Sequence, residues 1–183
     1  MYHIKDDKRS KTSAGLVCNG LMRCLERKSF SQITITDVQK ESCVGRATFY
    51  RLFDGLSDVL TYQCDRVFQE LPQHKMTAEE SFIIFMEHWM CHYTLLETII
   101  ESNHIEILYE AHRKNAEKIK GLFFSDSNIG TLQMEYISVM LTSIMTGVLT
   151  IWARNDRRET AHEIFEIVQN TFMMLSESFA RDA

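Results

Sequence analysis

Hydrophobic residues recur every three or four positions along most of the chain, which is the spacing of one face of an α-helix. Val17, Leu21 and Leu25 form such a stripe within a first predicted helix that runs from about Lys8 to Arg27. Only one proline and seven glycines interrupt the 183 residues, and folds rich in sheet need more turns than these residues provide. The pattern therefore predicts an all-α fold of about nine helices.

Helix starts are marked by a capping residue followed three positions later by an acid, a combination that satisfies free N–H groups of the first turn. Thr34 and Asp37 form the first such pair and open a short helix that ends near Cys43. No repeat, low-complexity run or Gly/Ser linker separates the predicted helices. The later ones run from Arg46 to about Phe53, from about Ser57 to Pro72, from Thr77 through Ile100 with room for a bend, from Asn103 towards Gly130, from Thr131 to Arg154 and from Thr160 to about Phe179.

The composition is that of an ordinary soluble protein, with 45% hydrophobic and 25% charged residues. No apolar stretch approaches the length that crosses a bilayer, and the polar N-terminal residues lack the apolar segment of a secretory signal. The five cysteines have no CxxC spacing, which favours reduced thiols over a disulfide framework. These features predict a cytoplasmic protein with no membrane association.

The net charge of −5 hides an uneven distribution along the chain. Residues 1–60 contain ten Lys and Arg against seven Asp and Glu, whereas residues 61–183 contain ten against eighteen. A basic N-terminal part on an acidic body indicates an end that binds a polyanion.

Residues 33–53 carry the clearest functional signal. Two short helices joined by three or four residues follow the plan of a helix-turn-helix. On the second helix, Arg46 is suited to pairing with guanine and Ala47 to touching thymine, whereas Tyr50 and Arg51 suit phosphate oxygens. The residues expected to hold the two helices together are Ile35, Val38, Val44, Phe49 and either Leu52 or Phe53. The alternative is a helical corner of a structural bundle with its arginines on a solvated face.

The segment resembles the DNA-binding domain of TetR-family transcription regulators. The matching positions are Thr34, Asp37, Val38, Val44, Arg46, Ala47, Thr48, Phe49, Tyr50 and Phe53, and the resemblance covers roughly residues 8–67. It implies a helix-turn-helix domain over residues 1–56, joined by helix four to an effector-binding and dimerisation domain over residues 57–183. It also implies a homodimer that acts as a transcriptional repressor on a palindromic double-stranded DNA operator. The DNA-binding residues that it implies are Thr34, Thr36, Gly45, Arg46, Ala47, Thr48, Tyr50 and Arg51.

Several positions depart from the family pattern. Cys43 stands where glycine makes the turn, so the turn must be built without a residue that freely adopts positive φ. Gly45 replaces the usual Ser N-cap, and Gln39 replaces a small residue in the first helix of the motif. Leu56 stands where the family commonly has a lysine that meets a phosphate. We therefore expect fewer phosphate contacts and a shallower salt dependence than is usual in the family.

The last two helices are more apolar than one internal face requires. A large apolar surplus marks interfaces, and two such helices from each subunit would form a four-helix dimer interface. The alternative is that both are core helices of a monomer. The residues predicted for the interface are Ile137, Leu141, Ile144, Val148, Trp152, Phe165, Val168 and Phe172.

The middle of the chain is rich in methionine and aromatic residues, which suit cavities for adaptable apolar ligands. The resemblance places an unknown small-molecule effector there, although an aromatic stripe at helical spacing is equally consistent with a plain core. The predicted pocket residues are Phe82, Phe85, Met86, Trp89, Met90, Tyr93, Ile99 and Tyr109.

His88, Cys91 and His92 share one helix face and are types that bind zinc, but a fourth ligand is not evident. A polar patch is therefore preferred, and neither metal nor cofactor is predicted. The chain has no phosphate-binding Gly-rich loop, GxSxG elbow or HExxH motif, so we expect no enzyme. The competing function is a TetR-like adaptor that responds to a protein partner rather than to a small molecule.

Overall fold

The computed structural model describes residues 1–72, 76–123 and 130–181, and this part of the chain is all-α. It contains ten α-helices and one 3₁₀-helix at Phe30–Gln32, and its single β-bridge joins Tyr2 to Phe53. The helices are α1 (Lys8–Leu25), α2 (Ile35–Ser42), α3 (Arg46–Leu52), α4 (Leu56–Glu70), α5 (Ala78–Cys91), α6 (Tyr93–Glu101), α7 (Glu106–Lys114), α8 (Ala116–Phe123), α9 (Thr131–Arg154) and α10 (Ala161–Arg181).

The described helices exceed the predicted number because two predicted segments are each divided. The helical conformation is interrupted at His92, between α5 and α6, and at Asn115, between α7 and α8. Asn103 does not open α7, as the sequence predicted, but closes α6. It adopts a left-handed φ of 58°, and the N–H of His104 bonds back to the carbonyl of Ile99 at 2.9 Å. This is the glycine-type helix ending, for which asparagine is the usual substitute.

Three of the predicted helix starts are confirmed in detail. The residues are Thr34, Thr77 and Thr160. In each case the threonine hydroxyl oxygen accepts the N–H of the acid three residues later, and the threonine N–H donates to the carboxylate of that acid. These reciprocal bonds fix the starts of α2, α5 and α10 because each satisfies two N–H groups that the helix leaves open.

The first of two compact units combines Met1–Glu70 with His92–Asn115. Within it, α1 packs on α2, α3, α4 and α6, and α4 packs on α7. The side chains at its centre are fully buried, among them Leu21, Phe49, Phe53, Phe68 and Leu108. Helices α6 and α7 thus share one core with the helix-turn-helix segment, although the predicted domain border at residues 56/57 separates them from it.

The second compact unit combines Leu71–Cys91 with Ala116–Ala183. Within it, α5 packs on α8 and α10. The buried Ser81 hydroxyl donates to the carbonyl of Leu122 at 2.7 Å, and the Phe82 ring lies 5.6 Å from that of Phe165.

Helix α9 is long and apolar enough to cross a membrane by length and composition, and only 22% of its most apolar stretch is buried. The prediction that no segment reaches such a length is therefore wrong on that criterion. A helix from an apolar subunit interface meets the same criterion, since both have few charges and large apolar side chains.

Acid should destabilise the first unit through His112. Burial lowers the pKa of this fully buried imidazole from 6.5 to about 4. Between these values the unfolded chain binds a proton that the folded chain does not, so the free energy of unfolding falls as pH falls. In His112→Leu, we expect the slope of unfolding free energy against pH in this window to be flatter by up to about 1.4 kcal/mol per pH unit. Urea unfolding at several pH values measures the slope, and an unchanged slope would contradict the assignment.

Candidate DNA-binding site

The start of α2 is held in place by a network around Asp37. Its carboxylate accepts the Thr34 N–H at 2.9 Å and the Thr34 hydroxyl at 2.7 Å, and Lys28 lies 3.1 Å away. Hydrogen bonds from the Thr34 side chain and backbone, followed by that from Lys28, hold the pKa of Asp37 far below its usual range. Thr34 therefore has a structural role as the N-cap, while its neighbour Thr36 is exposed on the first turn.

The turn between α2 and α3 is built on Cys43, which adopts φ 54° and ψ 25° in the left-handed region. The Ser42 hydroxyl, in a buried residue, accepts the N–H of Val44 at 3.3 Å and so supports the turn. Left-handed backbone costs roughly 1–2 kcal/mol for a residue with a Cβ. The turn is therefore made with a strained backbone at Cys43, where the family has glycine.

Replacing Cys43 by glycine should stabilise the protein. Glycine adopts positive φ without the Cβ penalty but loses more chain entropy on folding, so we expect a net gain of about 1 kcal/mol in the free energy of unfolding. Chemical denaturation measures it. Cys43→Ser is the matched control, because it removes the thiol and keeps the strained Cβ. Equal stability of both variants would show that the turn stores no strain.

Helix α3 has two chemically distinct sides. Phe49 and Leu52 are buried, and Phe53 beyond its end is buried as well. Leu52 and Phe53 were the two alternatives for the last core position, and both belong to the core. The opposite side exposes Arg46, Ala47, Tyr50 and Arg51, and Thr48 is half-buried.

The exposed side of α3 is partly ordered by a cation–π contact. The guanidinium carbon of Arg46 lies 5.3 Å from the centre of the Tyr50 ring, a distance at which the ring attracts the cation. Gly45 precedes the helix as its N-cap, and a Cβ added at this position would meet open space. The predicted DNA-binding residues of α3 are therefore together on one accessible surface.

Not all basic residues of the N-terminal part remain available for phosphate. Arg23 and Arg27 both pair with Glu41, the latter at 2.5 Å, and Lys28 pairs with Asp37. Lys11 pairs with Asp6. The other six Lys and Arg residues of this part have no carboxylate within 4 Å among the described residues and are the cations that the described structure leaves for a polyanion; they are Lys5, Lys8, Arg9, Lys40, Arg46 and Arg51.

An N-terminal strap, residues 1–3, ties the end of α3 to α4 and α7 within the first unit. The His3 N–H donates to the Leu52 carbonyl at 2.8 Å. The Tyr2 hydroxyl donates to the buried Asp65 at 2.6 Å, and Lys114 reaches the same carboxylate at 3.1 Å. Burial and the bond to Asp65 raise the pKa of Tyr2. The strap therefore fixes the C-terminal end of α3, and no sequence motif predicted it.

The predicted effector residues are divided between the two compact units. Phe82, Phe85, Met86, Trp89 and Met90 belong to α5 in the second unit, and Phe85, Met86 and Trp89 are fully buried. The remaining three, Tyr93, Ile99 and Tyr109, lie in the first unit, where both tyrosines are exposed. Phe82 lines an apolar cavity of about 560 Å³ that opens to the surface among α5, α9 and α10. Most of the other predicted pocket residues are buried core side chains.

The exposed apolar surface of α9 lies on a different face from the one predicted. Ile137, Leu141, Ile144 and Val148 are half-buried, and Trp152 is buried. On α10, Phe165 and Val168 are half-buried, while Phe172 is 47% exposed. The exposed stripe of α9 consists of Leu132, Tyr136, Val139, Met140 and Ile151. Because α9 is apolar nearly all round, its periodicity alone did not reveal which side faces outward.

Helix α10 adds a second exposed apolar region. Every residue from Gln169 to Ala180 is exposed, and its large apolar side chains there are Phe172, Met173, Met174, Leu175 and Phe179. We term these two exposed apolar regions, the α9 stripe and this end of α10, the α9/α10 face. Exposed apolar side chains in such number are typical of interaction surfaces.

The five cysteines differ in exposure, and His92 lies near an acidic side chain. Cys18, Cys24 and Cys64 are buried, whereas Cys43 and Cys91 are exposed. Burial raises the pKa of the Cys18 thiol to about 12. Within the first unit, His92 lies 3.9 Å from Glu70.

Comparisons with known proteins identify relatives of the fold. No protein-family model matches the chain, and a search of curated proteins gives no significant match. Among solved structures, Lin0861 from Listeria innocua superposes with a TM-score of 0.75 at 20% identity, over 94% of this chain and 96% of that one. A structure described as the dihydroxyacetone kinase operon activator DhaS superposes with a TM-score of 0.61 at 12% identity, over 89% of this chain and 95% of that one. The chain therefore shares its all-α fold with a protein that is described as an operon activator.

Proposed function

We propose that this protein is a TetR-like, sequence-specific DNA-binding transcriptional regulator. The observation that carries the proposal is the exposed side of α3, where Arg46, Ala47, Tyr50 and Arg51 share one accessible surface while Phe49 and Leu52 anchor the helix from behind. A helix of this kind enters the major groove with its N-terminal residues at the base edges. Family resemblance favours repression, while the DhaS structure is described as that of an activator.

The proposed regulator acts as a homodimer through the α9/α10 face. Two recognition helices must meet half-sites about one helical turn of DNA apart, or a multiple of it, and a two-fold dimer presents them in that way. An effector then acts by binding more tightly to one of two arrangements of the dimer.

Selection of bound duplexes from a random pool, at low salt with the purified protein, tests the proposal. We expect an inverted repeat with regular half-site spacing. In Arg46→Ala, base preference should relax at one position in each half-site, at a cost of about 1–3 kcal/mol in discrimination. An unchanged preference would remove Arg46 from base recognition.

Tyr50→Phe is the matched control for that variant. It keeps the ring beneath the Arg46 guanidinium and removes only the hydroxyl assigned to phosphate, so binding should weaken alike for all sequences. A sequence-selective loss would move Tyr50 to the base-reading group. Failure of a folded dimer to enrich any duplex would contradict DNA binding and favour the adaptor with a protein partner.

A further inference from the structure

The residues that line the apolar cavity of about 560 Å³ among α5, α9 and α10 all belong to the second unit. The buried lining residues Phe82 and Met145 form its floor, and the Phe82 ring lies 5.6 Å from that of Phe165. Exposed lining residues, among them Phe172 and Met173, form its mouth. The volume falls within the range of small-molecule sites. A recess with a closed floor and this volume suits a small molecule better than a flat protein surface.

Five of the eight residues that the sequence predicted for a dimer interface line this cavity, whereas Phe82 is its one predicted effector residue. Four of the five are half-buried, because they face the recess rather than a packed core. The apolar surplus of α9 and α10 is thus divided between the cavity and the α9/α10 face. The five residues are Leu141, Ile144, Phe165, Val168 and Phe172.

The lining offers hydrocarbon almost everywhere. Among the described residues that line the cavity none is ionisable, and the two polar ones are Gln169 and Ser176. The Ser176 hydroxyl donates to the Met173 carbonyl at 2.8 Å, which occupies its proton. Gln169 is exposed, so its amide lies at the mouth. A molecule inside the cavity therefore meets apolar side chains at the floor and one amide at the entrance.

A charged ligand is disfavoured in this cavity for two reasons. An ion would lose hydration there without gaining a partner of opposite charge, which is costly. The second unit also contains the whole acidic excess of the chain, since residues 71–91 and 116–183 have seven Lys and Arg against twelve Asp and Glu. This field repels anions in particular. An uncharged ligand meets neither obstacle.

We propose that this cavity binds an uncharged, mainly hydrocarbon molecule with a single hydrogen-bonding group. Burial of the hydrocarbon against aromatic and methionine side chains supplies the affinity. The hydrogen-bonding group lies at the mouth, where the Gln169 amide both donates and accepts. The cavity thereby selects against fatty acids and other amphiphiles whose head groups are ionised.

The mouth of the cavity is continuous with the α9/α10 face, because Phe172 and Met173 belong to both. A partner copy that covers this end of α10 also covers the mouth. Ligand binding and dimerisation then favour each other, as any two linked binding events do. This link rests on the proposed function, which includes the dimer, whereas binding of the ligand does not.

Fluorescence titration of the whole chain tests the site with two probes that share one aromatic skeleton. N-phenyl-1-naphthylamine is uncharged, and 8-anilinonaphthalene-1-sulfonate carries an added sulfonate. Both fluoresce strongly when apolar surroundings replace water. We expect the uncharged probe to bind about tenfold more tightly, because the sulfonate finds no cation in the lining. Absence of saturable binding of the uncharged probe, or equal affinity for both probes, would overturn the proposal.

A lysine placed in the lining should reverse this preference. Val168 is half-buried and lines the cavity, and its neighbour Ile167 is exposed and does not. Val168→Lys should weaken the uncharged probe and strengthen the sulfonate about tenfold, because the sulfonate gains a cation. Ile167→Lys is the matched control and should leave both affinities unchanged. Equal effects of the two lysines, or no effect of Val168→Lys in a folded protein, would place the probes outside the cavity.

A bulky side chain at the mouth provides a second test that leaves the core intact. Ala78, the first residue of α5, is exposed and lines the cavity, whereas the adjacent Glu79 is exposed and does not. Ala78→Trp should weaken both probes about tenfold by obstructing the entrance. Glu79→Trp should bind them like the wild type. Full binding by Ala78→Trp would contradict the proposed site.

The same titrations separate the site from the proposed function. If the uncharged probe binds as expected and no duplex is selected, the site stands and DNA regulation falls. If a duplex is selected and the wild type binds the probe no better than Ala78→Trp does, the cavity proposal falls alone. If Val139→Asp, a change in the α9 stripe, binds the probe and the wild type does not, the partner copy occupies the cavity and the proposal is overturned.

Discussion

Gly20→Ala should be among the most destabilising single-methyl additions in the chain. A Cβ at this position on α1 would lie 2.8 Å from the Ser42 Cβ and 3.0 Å from both the Ser42 nitrogen and the Val38 carbonyl oxygen. Two of these neighbours are backbone atoms of α2, which cannot move without displacing the helix. Overpacking of this kind costs about 1–3 kcal/mol. Thermal and chemical unfolding measure the loss. In the proposed regulator, DNA affinity should fall with it because α2 shifts away from α1.

Gly15→Ala provides the matched comparison on the same helix. A Cβ there has an Arg66 side-chain nitrogen at 4.0 Å as its nearest neighbour, which is ordinary contact. Alanine in a helix interior is favoured over glycine by about 0.5–1 kcal/mol, so this variant should be more stable than the wild type. Two identical substitutions, five positions apart, should therefore have opposite signs. If Gly20→Ala is also stabilising, α1 and α2 do not approach as closely as described.

Val139→Asp should break the proposed dimer. Val139 is 66% exposed at the middle of the α9 stripe, and a two-fold interface would bury the new carboxylate twice. An unpaired charge inside an interface costs several kcal/mol, so the dimer dissociation constant should rise by at least about a hundredfold. Sedimentation velocity over a range of protein concentrations measures this change. The free energy of unfolding of the monomer should stay almost unchanged, because the position is exposed.

Tyr109→Asp is the control for dissociation. Tyr109 is also an exposed apolar residue on a helix, at 41%, but it belongs to α7 in the first unit. It should leave the dimer intact. A dimer that tolerates aspartate at position 139 would show that the α9 stripe is not the interface, and the exposed end of α10 would become the next candidate.

The local features of the fold could be predicted well from the sequence, because each depends on neighbouring residues. The Thr34, Thr77 and Thr160 caps were readable from one side chain and an acid three positions on. The core residues of α2 and α3 were readable from spacing, although Ile35 is half-buried rather than fully buried. The all-α class followed from the scarcity of proline and glycine.

The sequence did not settle a helix end that allows two local interpretations, nor the features that depend on distant parts of the chain. Asn103 resembles a cap that opens a helix, yet it closes one, since the decisive bond is from the following N–H to Ile99. The outward face of α9 depends on which of its apolar sides its own unit covers. The pairing of Glu41 with Arg23 and Arg27 links residues 14 to 18 positions apart. A cavity lined by residues 25–33 and 94–104 joins segments about seventy positions apart.

The discontinuous first unit has a consequence for dissecting and recombining the protein. A fragment ending at Glu70 would expose Cys64, Val67 and Phe68, which are buried in the unit that includes α6 and α7. The helix-turn-helix segment therefore cannot be excised with its core by one cut, or exchanged at one crossover. A chimera that keeps this core would have to include residues 92–115 along with residues 1–70. In the proposed regulator, a change of DNA specificity would then carry α6 and α7 with it.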